Sequence, residues 1–205
     1  MLADMEWAWL GRKNYVPMWR LLQQRAREVA SGVCSEVVWF CEHEPVYTTG
    51  RRGVDNRLRR LHAPFVQTDR GGETTFHGPG QLLLYPVVDL RSRGLGVKTY
   101  VYMLEQSCIA LLAGFGIDAC RRCGMPGVWT TRGKMAALGI RVSQGVAYHG
   151  LALNVHVERA WFEAIDPCGL GEGIDRMEDW GVRPGMGELS ALWMEQFYRL
   201  LQRAG

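Results

Sequence analysis

The chain has 205 residues, 47% of them hydrophobic, and a formal net charge of +3. This length and composition predict one domain spanning residues 1–205, with a sizeable apolar core. No apolar run approaches the roughly 20 residues that span a bilayer, and the first residues lack the regions of a signal peptide, so we expect a cytoplasmic protein without a membrane partner. The six cysteines are predicted to be reduced thiols.

Apolar patterns in the first half of the chain predict one helix and two strands. An apolar stripe over residues 18–29 follows the helical period of 3.6 and ends at Gly32. The wholly apolar run Val37–Cys41 predicts a strand buried on both faces. A second strand is predicted at Leu82–Val88, and because Pro86 lacks an amide donor, we expect it at a sheet edge or a bulge.

The second half predicts two further helices and a β-hairpin. Helical stripes cover residues 101–115 and 189–201. The β-rich runs Lys134–Ser143 and Val146–Val157 are joined at residues 144–145, a turn that needs positive φ. Strands in clusters with helices between them favour an α/β fold of the α+β type, with mixed, largely antiparallel β-sheets covered by helices.

The segment from Arg70 to Tyr85 is the most informative part of the sequence. It reads RGGETTFHGPGQLLLY, which places four glycines, a proline and a histidine directly before a hydrophobic strand. Glycine allows a backbone to approach another molecule closely, and the strand holds the loop in place. The segment therefore predicts a binding loop.

Two residues are candidates for covalent chemistry, although each also has a structural interpretation. Cys168 lies between Pro167 and Gly169, a context that presents a thiol at a tight turn but also suits a structural thiol. Lys134 begins an otherwise apolar strand, where it could favour a thiolate or simply extend to water. Cys120 and Cys123 form a C-x-x-C pair without the second pair that a zinc site needs.

A local positive patch lies at residues 51–60, where five arginines accompany one aspartate. Such a patch attracts phosphate or an acidic protein, although many charge runs are only solvated loops. No zinc-finger spacing, recognition helix or interleaved aromatic residues accompany it, so we do not expect a nucleic-acid partner.

The segment 70–85 resembles the signature of the lipoate-pathway octanoyltransferases. Three further blocks agree with that family: EHEPVYTTGR at 42–51, GVW at 127–129 and YHGLALNV at 148–155. The resemblance covers roughly residues 6 to 175. It implies a fold similar to the biotin and lipoate protein ligases, and transfer of an octanoyl group from acyl carrier protein to a lysine of a lipoyl domain.

The resemblance also implies which residues act. The family has a catalytic cysteine in a similar Pro-Cys-Gly turn and a catalytic lysine in a similar strand, which correspond to Cys168 and Lys134. The expected substrate-binding residues are Arg70, Gly71, Gly72, Glu73, Thr74, Thr75, Phe76, His77, Ala137, Leu138, Gly139, Gly150, Leu151 and Ala152. His77 and His149 are otherwise interpreted as hydrogen-bonded structural histidines.

The implied reaction needs no metal and no cofactor, because a thioester already activates the acyl group. The implied partners are octanoyl-acyl carrier protein, the lipoyl domains of 2-oxoacid dehydrogenase complexes and the glycine cleavage H protein. Two alternatives remain open from the sequence. One is an ATP-dependent lipoate or biotin protein ligase, in which Cys168 is superfluous, and the other is a non-catalytic acyl-binding module.

Overall fold

The computed structural model describes residues 5–53, 62–165 and 173–203. Within these ranges the helices are α1 (Tyr15–Ala30), α2 (Val97–Ala113) and α3 (Met186–Arg203), with short 3₁₀ helices at Arg159–Phe162 and Met177–Trp180. The strands are β1 (Glu6–Lys13), β2 (Val37–His43), β3 (Val46–Thr49), β4 (Phe65–Gln67), β5 (Thr75–His77), β6 (Gln81–Asp89), β7 (Cys120–Arg122), β8 (Met125–Trp129), β9 (Lys134–Ser143) and β10 (Val146–Asn154).

The strands form one large and one small sheet. The large sheet has seven strands in the order β1-β2-β6-β10-β9-β8-β7, and the small sheet has the order β4-β3-β5. The pairs β1-β2 and β3-β4 are parallel, whereas the remaining pairs are antiparallel. This is the predicted α/β fold with mixed, largely antiparallel sheets.

Helices cover both faces of the large sheet because its central strands are apolar on both sides. On β2, Val37, Trp39 and Cys41 pack with α1, whereas Val38 and Phe40 belong to the core under α2 and α3. Full burial of one such side chain stabilises the fold by about 1.5–3 kcal/mol. None of the described helices is long and apolar enough to cross a membrane.

Helix α1 forms and ends as its sequence predicts. Its buried stripe includes Met18, Leu22 and Val29, and Tyr15 extends this stripe by one turn toward the start of the helix. The chain leaves the helix through Gly32, which has a φ of +75° and donates its backbone N–H to the Val29 carbonyl. A left-handed residue after a helix is most easily glycine, because a Cβ is disfavoured there.

The predicted hairpin is confirmed as β9 and β10. Its turn residues Gln144 and Gly145 have φ values of +52° and +87°, so both central positions are left-handed. This is the turn whose twist matches that of paired strands. The pairing runs from Val146 with Ser143 to Leu153 with Ala136.

Pro86 does not lie at a sheet edge, because β6 is central and pairs with both β2 and β10. Pro86 lies opposite Val38 of β2. On the other side the ladder with β10 is interrupted: Ala147 pairs with Val88 and Leu151 with Leu84, and the three residues between are not paired with β6. The missing amide donor is therefore accommodated by a gap in the ladder and not by an edge position.

Candidate active site

A cavity of about 240 Å³ lies on the face of the large sheet that also carries α1. Strands β6, β8, β9 and β10, loop 70–75, β5 and the start of α1 all contribute to it. Its lining residues are Tyr15, Arg52, Arg70, Gly71, Gly72, Glu73, Thr74, Thr75, His77, Leu83, Tyr85, Gly124, Met125, Pro126, Trp129, Lys134, Ala137, Leu138, Gly139, Ile140, His149, Gly150, Leu151 and Ala152.

The floor of the cavity is made of small residues on two adjacent strands. Ala137 of β9 pairs with Ala152 of β10, and Gly139 pairs with Gly150. A Cβ on Gly150 would lie 2.0 Å from the Leu84 carbonyl oxygen, so only glycine fits there. Without large side chains, this floor leaves room for an extended apolar group.

Loop 70–75 forms the roof above the floor. Gly71 donates its backbone N–H to the Ile140 carbonyl at 2.8 Å, which ties the loop to β9. A Cβ on Gly139 would lie 2.8 Å from the Gly71 carbonyl oxygen, so the roof and the floor approach each other closely. The close approach explains Gly71 and Gly139, whereas Gly72 is favoured by its left-handed φ of +88°.

Arg70 is a buried residue of this roof. Its guanidinium Nη2 donates to the Thr48 carbonyl at 2.7 Å and to the Thr48 hydroxyl at 2.8 Å, and Nη1 donates to the Gly71 carbonyl at 2.9 Å. Nε has no hydrogen-bond partner among the described residues. The side chain thus joins the small sheet to the loop and keeps one donor unused.

Strand β5 directs two of its three residues to the cavity. Thr75 and His77 line it, whereas Phe76 points to the other side of the strand. There Phe76 stacks on Trp161 with ring centroids 4.9 Å apart. Phe76, one of the expected substrate-binding residues, thus does not line this cavity, because the alternation of a β-strand directs it to the opposite side.

Lys134 is half-exposed at the outer end of the cavity, where it pairs with Trp129 of β8 and its Cε lies 3.5 Å from the position of a Cβ on Gly127. Its Nζ lies 4.7 Å from the centroid of the Trp129 ring, a cation–π distance. The described residues include no carboxylate paired with its ammonium. Lys134 is therefore a half-buried cation that faces the cavity beside an aromatic wall.

The backbone of Lys134 is held by the segment that follows residue 172. Lys134 donates its N–H to the Gly173 carbonyl at 3.1 Å, and its own carbonyl accepts the Asp175 N–H at 2.9 Å. Asn154 Nδ2 donates to the carbonyls of both Lys134 and Asp175, each at 3.2 Å. A Cβ on Gly133 would lie 2.3 Å from the Gly173 carbonyl oxygen, which shows how closely the two segments pack.

A chain of side-chain hydrogen bonds joins Asn154, which binds the Lys134 carbonyl, to His77. His77 Nδ1 contacts Gln81 Oε1 at 3.3 Å, and Gln81 Nε2 donates to Asn154 Oδ1 at 2.8 Å. Since the Gln81 oxygen accepts, His77 carries its proton on Nδ1, and Nε2 is the acceptor nitrogen. Burial lowers the pKa of His77 well below its ordinary value, so the ring is neutral at pH 7.

His149 occupies a left-handed backbone position, with a φ of +63°. This conformation turns its ring onto the α1 face, where it stacks on Tyr148 at 5.1 Å. His149 Nε2 donates to Asp69 Oδ1 at 2.9 Å. Burial lowers the pKa of His149 despite this carboxylate, and the ring is therefore neutral at pH 7.

Asp69 fixes the start of the roof. Besides His149, its carboxylate accepts from Trp19 at 2.7 Å, from Gln23 at 3.2 Å and from the Tyr148 hydroxyl. Partial burial raises the pKa of Asp69, but the donors outweigh burial and hold the pKa well below its ordinary value. The carboxylate is thus ionised and binds the roof to both α1 and β10.

The end of the cavity opposite Lys134 is buried and polar. We call it the inner end and define it by Tyr15, His77 and Tyr85, which are 5%, 6% and 4% exposed. The Tyr85 hydroxyl donates to His43 Nε2 at 3.0 Å, and His43 Nδ1 donates to the Lys13 carbonyl at 2.9 Å. Burial lowers the pKa of His43 to about 4, consistent with a neutral ring that accepts from Tyr85.

The cysteines differ in how accessible they are. Cys168, the predicted nucleophile, lies outside the described residues. Cys41 and Cys108 are fully buried, and burial raises the pKa of both thiols, as expected of core residues. Cys34 is only half-buried, and Cys120 and Cys123 are exposed. Among the described residues no group of three or more histidine, cysteine or acidic side chains is arranged to hold a metal ion.

Part of the arginine patch lies beside the cavity. Arg51 and Arg52 are exposed, and Arg52 lines the cavity. Arg52 Nη1 lies 3.9 Å from Glu73 Oε1. The other three arginines of the patch fall outside the described residues. Positive charge therefore stands at the rim of the site.

Several cavity residues were not predicted from the sequence. They are Tyr15, Arg52, Leu83, Tyr85, Gly124, Met125, Pro126, Trp129, Ile140 and His149. Tyr85 and Trp129 belong to sequence blocks that carry the family resemblance, so that resemblance could have identified them. Tyr15 continues the apolar stripe of α1, which indicates burial but not contact with a cavity.

The fold is similar to that of lipoate and biotin protein ligases. An archaeal lipoate protein ligase from Thermoplasma acidophilum superposes with a TM-score of 0.71 at 15% identity, covering 97% of this chain and 84% of that chain. Biotin protein ligase from Aquifex aeolicus, in complex with biotin and ATP, superposes with a TM-score of 0.58 at 12% identity, covering 98% and 71%. These similarities establish the fold.

The sequence defines the family more narrowly. Residues 14–198 match the lipoyl protein ligase A/B catalytic domain, and the chain belongs to that family. An octanoyltransferase from Halorhodospira halophila is 45% identical over 183 residues, which is 88% of this chain and 84% of the relative. An octanoyltransferase from Thiobacillus denitrificans is also 45% identical, over 84% of this chain and 80% of the relative.

Proposed function

We propose that this protein is an octanoyltransferase that moves an octanoyl group from acyl carrier protein to a lysine of a lipoyl domain, the first step of protein lipoylation. The observation that carries the proposal is the 45% identity to octanoyltransferases over most of both chains. The site agrees with it. A floor of alanine and glycine suits an unbranched acyl chain, and Lys134 stands at the outer end, where a thioester would enter.

The reaction proceeds through a thioester on Cys168, with Lys134 as its partner. The length of the intervening chain supports this pairing. The Gly173 carbonyl accepts the backbone N–H of Lys134. Gly173 follows Cys168 by five residues, so the Cα atoms of Cys168 and Gly173 are at most about 18 Å apart. On the other side Ile165, three residues before Cys168, is anchored in the cluster that contains Phe76.

In the first half of the reaction the Cys168 thiolate attacks the carbonyl carbon of the carrier thioester. The new carbon–sulfur bond forms as the bond to the phosphopantetheine sulfur breaks, and Lys134 gives that sulfur its proton. The ammonium of Lys134 also favours the thiolate before attack, because an opposite charge nearby lowers the pKa of a thiol. The carrier then leaves with a free thiol.

In the second half the amine of the lipoyl-domain lysine attacks the octanoyl thioester. An amide bond forms, the bond to Cys168 breaks, and Lys134 accepts the proton that the amine loses. The amide is more stable than the thioester, so this step needs no ATP. The acceptors we propose are lipoyl domains of 2-oxoacid dehydrogenase complexes and the glycine cleavage H protein.

The experiment that tests this proposal is intact mass spectrometry after incubation with octanoyl-acyl carrier protein. The wild type gains the mass of one octanoyl group, which hydroxylamine removes, and Cys168→Ser does not gain a hydroxylamine-labile group. Cys120→Ser, which alters an exposed cysteine, behaves as the wild type. Full transfer from octanoyl-acyl carrier protein to the lipoyl domain by Cys168→Ser would overturn the thioester route, whereas transfer that requires free octanoate and ATP would favour a ligase.

A further inference from the structure

Trp129 occupies a fixed place in the wall of the cavity, at its outer end. The residue is fully buried, and it lies on β8 between its strand partners Cys120 of β7 and Lys134 of β9. Its indole Nε1 donates to the Met125 carbonyl at 3.0 Å, which fixes the orientation of the ring. Packing and this hydrogen bond together leave the ring little freedom to turn.

The side chain of Lys134 runs along β8 to this ring. A Cβ on Gly127 would lie 3.5 Å from Lys134 Cε, so the lysine stem passes directly beside the β8 backbone. Nζ lies 4.7 Å from the centroid of the Trp129 ring, within the range in which the negative face of an indole attracts a cation. None of the salt bridges among the described residues involves Lys134. Within the described part of the chain, the ring is therefore the group that attracts the ammonium.

A second cation lies on the same ring. The Cζ atom of Arg122 is 4.5 Å from the Trp129 centroid, and its Nη2 donates to the Thr130 carbonyl at 3.3 Å. The ring thus attracts two cations. A change to the ring acts on both of them, so a test must separate the effect on Lys134 from the effect on Arg122.

We propose that Trp129 is a positioning residue for octanoyl transfer, because its ring holds the ammonium of Lys134 at the outer end of the cavity. The proposal rests on the proposed catalytic role of Lys134. An aromatic face attracts a cation without bearing a net charge, so the three N–H donors of the ammonium remain available. The amine is thereby kept in one place, from which it can give a proton to the phosphopantetheine sulfur.

Fluorinated tryptophans test the attraction of the ring separately from its packing. Fluorine withdraws electrons and weakens the negative potential of the ring face, whereas the shape of the indole changes little. Tryptophan with one, two or three fluorine atoms on the six-membered ring is incorporated at position 129 alone. The single-turnover rate of octanoyl-enzyme formation from octanoyl-acyl carrier protein is expected to fall stepwise. With three fluorine atoms we expect a loss of about fivefold, which corresponds to about 1 kcal/mol.

Two controls identify the cation that responds. In Lys134→Ala the same fluorination is expected to have no further effect, since the ammonium is already absent. A stepwise loss that persists in Lys134→Ala would show that the ring acts through Arg122 or through packing, and would overturn the proposal. Trp39 is the matched position, because Arg25 Cζ lies 5.2 Å from its ring centroid and Trp39 is not among the residues that line the cavity. Fluorination at position 39 is expected to leave the rate unchanged, and an equal loss there would also overturn the proposal.

A second measurement, by nuclear magnetic resonance, does not depend on activity. The chain has three lysines, Lys13, Lys98 and Lys134. Protein labelled with carbon-13 at lysine Cε therefore gives three side-chain signals, and the one that is absent from Lys134→Arg belongs to Lys134. The ring current shifts protons above an indole face upfield, so we expect the Lys134 signal upfield of those of Lys13 and Lys98, which are exposed. Fluorination at position 129 should move it toward them.

The two measurements distinguish failure of this proposal from failure of the proposed function. A Lys134 signal that is not shifted upfield, or that fluorination at position 129 leaves in place, overturns the role of Trp129. If instead the wild type takes up no octanoyl group from the carrier, octanoyl transfer itself fails, whatever the position of the Lys134 signal.

Discussion

At the scale of single residues, Lys134 shows how the fold can fix a side chain without neutralising it. Its N–H and carbonyl are bonded to Gly173, Asp175 and Asn154, which fixes the base of the side chain. Its ammonium meets only the face of Trp129 among the described residues. In the proposed mechanism Lys134 gives and then takes a proton, and a strong ion pair would oppose that exchange.

Replacement of Lys134 by alanine is predicted to slow formation of the octanoyl enzyme. A free thiol with a pKa near 8.5 is only a few per cent thiolate at pH 7, so loss of the neighbouring ammonium should reduce the rate about tenfold or more. The rate should recover partly as the pH rises from about 7 to about 9, because hydroxide then forms the thiolate. Stopped reactions followed by mass spectrometry measure this profile.

Lys98→Ala is the control for this variant, since Lys98 is an exposed lysine on α2. It should retain both the rate and the pH profile of the wild type. Circular dichroism establishes whether each variant is folded. Identical profiles for Lys134→Ala and the wild type would contradict the proposed role of the lysine.

At the scale of elements, the middle of β10 is irregular: its residues 148–150 are not paired with β6, and this interruption lies at the cavity. Pro86 cannot donate to β10, and the gap in the ladder lies opposite it. In this gap His149 takes its left-handed conformation, and Gly150 follows with its Cα against the Leu84 carbonyl. A strained residue beside a cavity is a common feature of functional sites, and here it brings His149 to Asp69.

Gly150→Ala is predicted to destabilise the protein and to impair transfer together. The added Cβ would lie 2.0 Å from the Leu84 oxygen, so β6 and β10 must move apart. Forcing a methyl group into such a site costs about 1–3 kcal/mol. Chemical denaturation measures the stability, and transfer from octanoyl-acyl carrier protein measures the activity.

Gly185→Ala provides the comparison, because a Cβ on Gly185 meets no atom within 4 Å. It should change neither the denaturation midpoint nor the activity by a measurable amount. If Gly150→Ala were as stable and active as Gly185→Ala, the close approach of β6 and β10 would not matter for the site.

The long elements could be predicted from the sequence because their patterns repeat over many residues. The helical stripes, the apolar run of β2 and the β9-β10 hairpin all agree with the structure. Strands β4, β5 and β7 have three residues each, too few for a period to be recognised. Strand β1 was also not predicted from the sequence. It pairs in parallel with β2 and extends the large sheet.

Part of the cavity lining was predictable from residue type alone. The paired small residues at 137–139 and 150–152 lie on the cavity floor, as does most of segment 70–77 on its roof. The direction of Phe76 could not be derived, because the parity of a three-residue strand is set by the sheet it joins. The inner end required the packing of α1 on β6, which joins Tyr15 to Tyr85 only through tertiary structure.

At the scale of the whole molecule, the two faces of the large sheet have different tasks. The face under α2 and α3 carries the larger apolar core, including the fully buried Trp193 and Phe197. The opposite face carries α1, the cavity and its roof. Arg51 and Arg52 stand on the cavity side, exposed at the rim. The net charge of the chain is only +3, but these two positive side chains lie beside the cavity. Their position favours the approach of an acidic carrier from the cavity side.

Charge reversal at this rim, Arg51→Glu with Arg52→Glu, is predicted to lower kcat/KM for octanoyl-acyl carrier protein about fivefold at low ionic strength, because steering of an acidic partner is lost. Salt screens such charges over about 10 Å at 0.1 M, so the difference from the wild type should shrink as salt is added. The control reverses the exposed Arg199 and Arg203 of α3, on the other face. The measurement is kcat/KM as a function of salt concentration. If the rim variant and the wild type depended equally on salt, or if the α3 variant lost as much kcat/KM as the rim variant, the rim arginines would not guide the carrier.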